Sequence, residues 1–203
     1  MINLDSVHDQ NSKRFISHVI RTCIKNKIKF ITIPDAGEIV LGGFNDFDRT
    51  LEITESSSEN VLGILVHEYC HMLQYVQKSP IYFSTYRGLD PTTVVTNWLN
   101  GIDYSEKTLD ACFLLCKKLE FDCDIRAVEQ IKKWNLPIDI NHYIKCAIGY
   151  SYYYDHLRYT RRQGKNVAYE KKCVLKCIKP DFGTRNLEVR NVKIESLIDK
   201  HTK

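Results

Sequence analysis

His67 and His71 stand four residues apart, with Glu68 beside the first, in the run His67-Glu68-Tyr69-Cys70-His71. On a helix of about 3.6 residues per turn the two imidazoles leave one face a turn apart, so both can reach a single transition-metal ion. Glu68 then sits next to that ion without having to bind it, placed to take a proton from a water molecule. The chemistry this spacing serves is metal-assisted hydrolysis.

The element that must carry these residues reads as a helix. Ser56 and Glu59 are spaced as a capping box, an apolar run follows, and Lys78 and Pro80 supply the stop near Gln77. Val61, Leu62, Ile64, Leu65, Val66, Cys70, Met72, Leu73 and Val76 make it apolar nearly all round, which predicts a buried helix. Two histidines and a glutamate inside such a helix need compensation, because a polar group buried without a partner costs several kcal/mol, on the order of 2–7. A bound metal supplies it. A catalytic zinc commonly takes three protein ligands and leaves one position to water. The third ligand must come from another element, and the candidates are Glu120, Asp122, Asp124, Glu129, His142 and His156.

A second long helix is predicted from a Ser105 cap to Trp134, ended by Asn135 and Pro137. Leu109, Cys112, Phe113, Cys116, Cys123, Ala127, Ile131 and Trp134 mark its buried stripe, and Glu120 and Asp124 fall on or beside that stripe, one turn apart.

HEYCH followed forty-nine residues later by Glu120-Phe121-Asp122-Cys123-Asp124 resembles the gluzincin type of zinc metallopeptidases, over roughly residues 50 to 130. In that group an H-E-x-x-H helix is followed by a helix carrying E-x-x-x-D. The resemblance implies a zincin-like fold, Zn2+ held by His67, His71 and Glu120, and Asp124 accepting a hydrogen bond from a zinc-binding histidine. Exchange of the Glu120 and Asp124 roles fits the same spacing, and a distant His142 or His156 is a further alternative. The version with a third histidine six residues on is excluded, since Met72-Leu73-Gln74-Tyr75-Val76-Gln77 follows His71. The implied reaction is peptide-bond hydrolysis by a zinc-activated water with Glu68 as general base. A Tyr or His from a later helix stabilises the oxyanion, for which Tyr152, Tyr154 and His156 are the candidates.

Elsewhere, residues 12 to 28 read as an amphipathic helix on which His18 is a packed or surface residue. KFITIP, GEIVLGGF and RTLEIT read as the strands of a small antiparallel sheet, with RTLEIT alternating cleanly and standing either as an edge on which a substrate could add a strand or as an ordinary covered strand. Residues 80 to 104 form a connection with a short helix over Thr92 to Leu99, in which Tyr82, Tyr86 and Trp98 read first as packing aromatics and otherwise as candidates to wall a cleft. A tyrosine-rich helix runs from about Asp139 to Gly164. The expected fold is therefore α+β, mainly α, with the small sheet packed on a buried metal-binding helix. It is expected as a single domain over 1–203 whose residues 165–203 form a basic C-terminal extension.

Composition narrows the setting. The 203 residues are 43% hydrophobic and carry a formal charge of +4, too mild to declare a nucleic-acid binder, and no run is apolar enough to span a membrane. With no secretory leader in view, the eight cysteines are expected reduced and the protein cytoplasmic, without a membrane partner. Cys173 and Cys177 read as ordinary helix positions. The expected partner is a peptide or protein substrate. A catalytically silent zinc-binding structural or interaction protein is the alternative. A third reading joins the site to the basic stretch from Arg158 to Lys179, as in proteases acting on nucleic-acid-bound proteins.

Overall fold

The strand RTLEIT proves to be the centre of a mixed sheet. In the computed structural model, which describes residues 9–34, 42–55, 61–162, 168–184, 187–188 and 190–202, β3 (Thr50–Glu55) lies between β1 (Lys29–Pro34) and β2 (Gly42–Asn45). It pairs antiparallel with β2, Phe44 opposite Leu51, and parallel with β1, Phe30 opposite Leu51. This corrects the expected antiparallel sheet, and it removes β3 as an edge for substrate, since both its sides are paired. Burial gives the reason: Leu51 and Ile53 are fully buried on one face, and Thr50 and Thr54 are buried on the other. A tight turn closes the β2–β3 hairpin, with the Asn45 side-chain oxygen accepting from the backbone N–H groups of Phe47 and Asp48 and Arg49 in the left-handed region.

The chain forms two compact units. The first comprises residues 1–82 and 123–140. Its α1 (Gln10–Lys25) is capped by Asp9, whose carboxylate accepts from the Ser12 N–H, and buries Phe15, Ile16, Val19 and Cys23. The metal-motif helix α2 (Val61–Val76) buries Leu65, Val66, Tyr69, Cys70, Met72 and Gln74, leaving His67, Glu68 and His71 half-buried. It ends where Lys78 turns left-handed before Pro80. The Ser56–Glu59 capping box and residues 37–41 of the expected second strand lie outside the described residues. At Gly42 a Cβ would come within 2.8 Å of Ile53 Cδ1 and 2.9 Å of Ile64 Cγ2, so the glycine lets β2 lie directly on α2.

The second unit comprises residues 83–122 and 141–203. α3 (Pro91–Leu99) starts with proline in its first turn behind an Asp90 cap that accepts from Thr93 N–H. α4 (Glu106–Trp134) begins behind Ser105, whose hydroxyl accepts from Thr108 N–H; it belongs to this unit up to Asp122 and to the first unit from Cys123. Val94, Val95, Trp98, Leu109, Cys112, Phe113, Cys116 and Leu157 form this unit's core, so Trp98 is a packing residue. α5 (Ile140–Thr160) carries the tyrosines. The short α6 (Lys172–Leu175) and α7 (Val192–Thr202) follow, burying Val174, Leu175, Ile194 and Ile198. The buried Lys117 ammonium donates to Asp155 at 2.5 Å and to the Leu187 carbonyl at 2.7 Å. No described helix is long and apolar enough to cross a membrane.

Candidate metal centre

Helix α2 aims the Nε2 atoms of His67 and His71 at each other, 3.1 Å apart with the rings nearly perpendicular. The other nitrogen of each ring is held from behind. Nδ1 of His67 lies 2.9 Å from an Asp124 carboxylate oxygen, and Nδ1 of His71 lies 2.9 Å from the side-chain oxygen of Gln74. Asp124 and Gln74 are both buried. An ionised carboxylate and an amide oxygen only accept, so each Nδ1 carries the ring proton and each Nε2 presents a lone pair. Two lone pairs 3.1 Å apart repel unless a cation lies between them.

The separation suits a metal. Two imidazole nitrogens on a tetrahedral ion with bonds of about 2.0–2.1 Å stand about 3.3 Å apart. The Sγ of Cys123 completes a group with the two histidines whose ligand atoms all lie within 4.8 Å of one another, close enough to hold one metal ion. Within that group the thiol has a particular place: it donates to the His67 carbonyl at 3.2 Å and lies 3.8 Å from His67 Nδ1, so it faces the back of the ring while Nε2 faces His71. The neighbouring Cys70 is fully buried, and burial, followed by Cys123 nearby, pushes its thiol far above the ordinary range. Cys70 is therefore a packing thiol.

Glu68 is anchored by the sheet. Its Oε2 accepts from the backbone N–H of Phe44 at 3.0 Å, on the edge strand β2 that Gly42 seats against α2. On the far side of α2, the Tyr69 hydroxyl meets His18 Nε2 at 2.9 Å, and the His18 ring lies against Trp134. Burial, then Lys133 and Arg21, lowers the His18 pKa, so His18 is a neutral packed residue.

Of the remaining candidates, Glu129 is exposed in the first unit, and Glu120, Asp122, His142, Tyr152, Tyr154 and His156 belong to the second. Glu120 accepts a long hydrogen bond, 3.5 Å, from the Tyr154 hydroxyl, and burial together with Tyr150 and Glu120 pushes that phenol well above its ordinary value. His156 is buried and stacked on Tyr153, its Nε2 3.3 Å from the Thr160 hydroxyl. Tyr152 lies on the wall of a cavity of about 240 Å³ with Ile148, Ile178 and Ile194. His142 is exposed beside Cys146, 3.5 Å from its sulfur.

Three contributors escaped the sequence reading: Gln74, Cys123 and the Phe44 N–H. Gln74 is three residues after His71 and could have been found from helical spacing. Cys123 stands within EFDCD but reads there as one more apolar position. The Phe44 donor is backbone and leaves no residue-type signal. Comparison with protein-family models, with curated proteins and with solved structures returned no match to the chain.

Proposed function

We propose that the chain is a zinc-dependent metallopeptidase of small, gluzincin-like form. The observation that carries this reading is the facing pair of Nε2 atoms, each ring fixed from behind by a buried acceptor, with Glu68 next to His67 along the helix. Half-buried imidazoles with borderline-soft nitrogen donors suit zinc. When bound, zinc acts as a Lewis acid that lowers the pKa of a water and polarises the substrate carbonyl.

The chain's own residues do the rest. Asp124 and Gln74 fix the imidazole tautomers and hold both rings in the binding orientation. Glu68, steadied at Oε2 by Phe44 N–H, takes the proton of the attacking water and delivers it to the leaving amine. The roles of Glu120 as third ligand and of Tyr154 or His156 as oxyanion donor extend the reading and rest on spacing in the sequence. The Tyr154 phenol, kept protonated by its raised pKa, is suited to donate. The partner is a peptide or protein substrate.

The test is proteolysis of an unstructured peptide library by zinc-loaded protein, read by mass spectrometry. Wild type produces new termini and Glu68→Gln, with its zinc retained, does not. Equal cleavage by both would remove the reading.

A second reading, a zinc-binding structural or interaction protein without hydrolytic activity, has Cys123 on its side, since its thiol belongs to the same donor group. The third, action on nucleic-acid-bound protein, must contend with charge pairing in the basic stretch. Arg158 meets Glu106 and Asp110, Arg161 meets Asp103 and Arg162 meets Asp199, while Lys171, Lys172, Lys176 and Lys179 are exposed.

A further inference from the structure

The run Lys171-Lys172-Cys173-Val174-Leu175-Lys176-Cys177-Ile178-Lys179 holds four lysines and no acidic residue. In the structure it forms α6 and the turn after it, anchored by the buried Val174, Leu175 and Ile178, with both cysteines exposed. The Cys173 sulfur lies 3.2 Å from Nε2 of His201 on the last turn of α7. Cys177, one turn on, points its thiol back to the Cys173 carbonyl at 3.5 Å. The first thiol thus has a base in hydrogen-bond contact, a cationic surround and access to solvent. The second thiol stands beside it.

We infer that Cys173 is a peroxide-reactive thiol, activated by His201 and resolved by Cys177. His201 Nε2, in contact with the Cys173 sulfur, takes its proton. The thiolate attacks one oxygen of hydrogen peroxide. An S–O bond forms, the O–O bond breaks, and the departing hydroxide takes the imidazolium proton and leaves as water. Cys173 is now a sulfenic acid, oxidised by two electrons. The Cys177 thiolate then attacks the Cys173 sulfur, forming the S–S bond and expelling the sulfenic oxygen, which leaves as a second water with the Cys177 proton. Two thiols and one peroxide become one disulfide and two waters.

Closure needs the turn after α6 to yield: Cys177 lies beyond the helix, which ends at Leu175, and side chains four residues apart on a helix stand about 5–6 Å apart at Cβ, against about 3.8 Å across a disulfide. Cys177 also lines the 240 Å³ cavity beside Ile148, Tyr152 and Ile194. None of these residues belongs to the metal centre, so the inference stands apart from the hydrolase reading.

The experiment exposes the reduced full chain to hydrogen peroxide and follows intact mass and tryptic peptides. Trypsin cuts after Lys176 and separates the two cysteines, so a Cys173–Cys177 bond appears as a linked peptide pair, with loss of two hydrogens from the intact chain. In Cys177→Ser the reaction stops at a Cys173 sulfenic acid that dimedone traps. In His201→Gln the rate of Cys173 oxidation at neutral pH falls about tenfold as the thiolate loses its base. The inference is overturned if peroxide leaves the two peptides unlinked, if His201→Gln reacts at the wild-type rate, or if both thiols are shielded by a second equivalent of zinc that Cys173→Ser releases.

Discussion

Asp124 stands 2.9 Å behind Nδ1 of His67, and Gln74 stands at the same distance behind Nδ1 of His71. The two acceptors differ in charge, one a carboxylate and one an amide. They do the same work, fixing which nitrogen of each ring is left to bind.

Replacing the carboxylate by its amide should separate orientation from ligation. Asp124→Asn is expected to bind zinc about 10–100-fold more weakly than wild type while still binding one equivalent, as read by competition with a chromogenic chelator. An unchanged affinity would show that the contact behind His67 does not matter to the metal.

Gln74 is fully buried, and Gln74→Leu keeps most of its volume while removing the acceptor. Zinc affinity should fall about tenfold, with far-ultraviolet circular dichroism unchanged. A large loss of helix without metal would mean instead that Gln74 acts through packing.

The third ligand can be assigned by a pair of variants. On the proposed ligand set, Cys123→Ser keeps one equivalent of zinc, its sulfur being directed at the His67 carbonyl, and Glu120→Ala loses affinity by more than the Asp124→Asn change. The reverse pattern would place Cys123 on the metal and favour the silent zinc protein.

Gly42 seats the strand that anchors Glu68. Gly42→Ala puts a methyl group into Ile53 and Ile64, which should lower stability by roughly 1–3 kcal/mol and reduce hydrolysis more than zinc binding, because Phe44 moves away from Glu68. A thermal melt and a chelator titration on the same sample check both halves.

Burial, offset by Asp199 and reinforced by Arg162, lowers the pKa of His156 below its ordinary value of 6.5. Above that value the group is neutral in both folded and unfolded chains and contributes nothing to pH dependence. Below it the unfolded chain takes the proton first, so stability is lost as pH falls toward the depressed folded value. Denaturant melts between about pH 7 and about pH 5 should therefore show a steeper loss for wild type than for His156→Gln. Parallel curves would mean that the ring is hydrated in the folded chain.

What could be read from the sequence was mostly local. The Ser105 cap, the stops at Lys78 and Asn135 and the extent of α4 follow from residues within a turn of each other. Strand order did not follow. RTLEIT alternates like a strand with one solvated face, yet Thr50 and Thr54 are buried and β1 and β2 flank it on both sides, and residue type alone carries no sign of that pairing. At the site, the histidine pair came from spacing on one helix. The contacts of Phe44 and Cys123 join segments 24 and 56 residues apart, and only the folded chain brings them together.

The central claim is that the lone pairs of His67 and His71 converge on one zinc ion. Metal analysis of protein purified without added metal, by inductively coupled plasma mass spectrometry, tests it most directly. One zinc per chain is predicted in wild type and in Glu68→Gln, and none in His67→Ala or His71→Ala. Wild-type protein that carries no zinc and takes none up, or zinc that survives loss of either histidine, would contradict it.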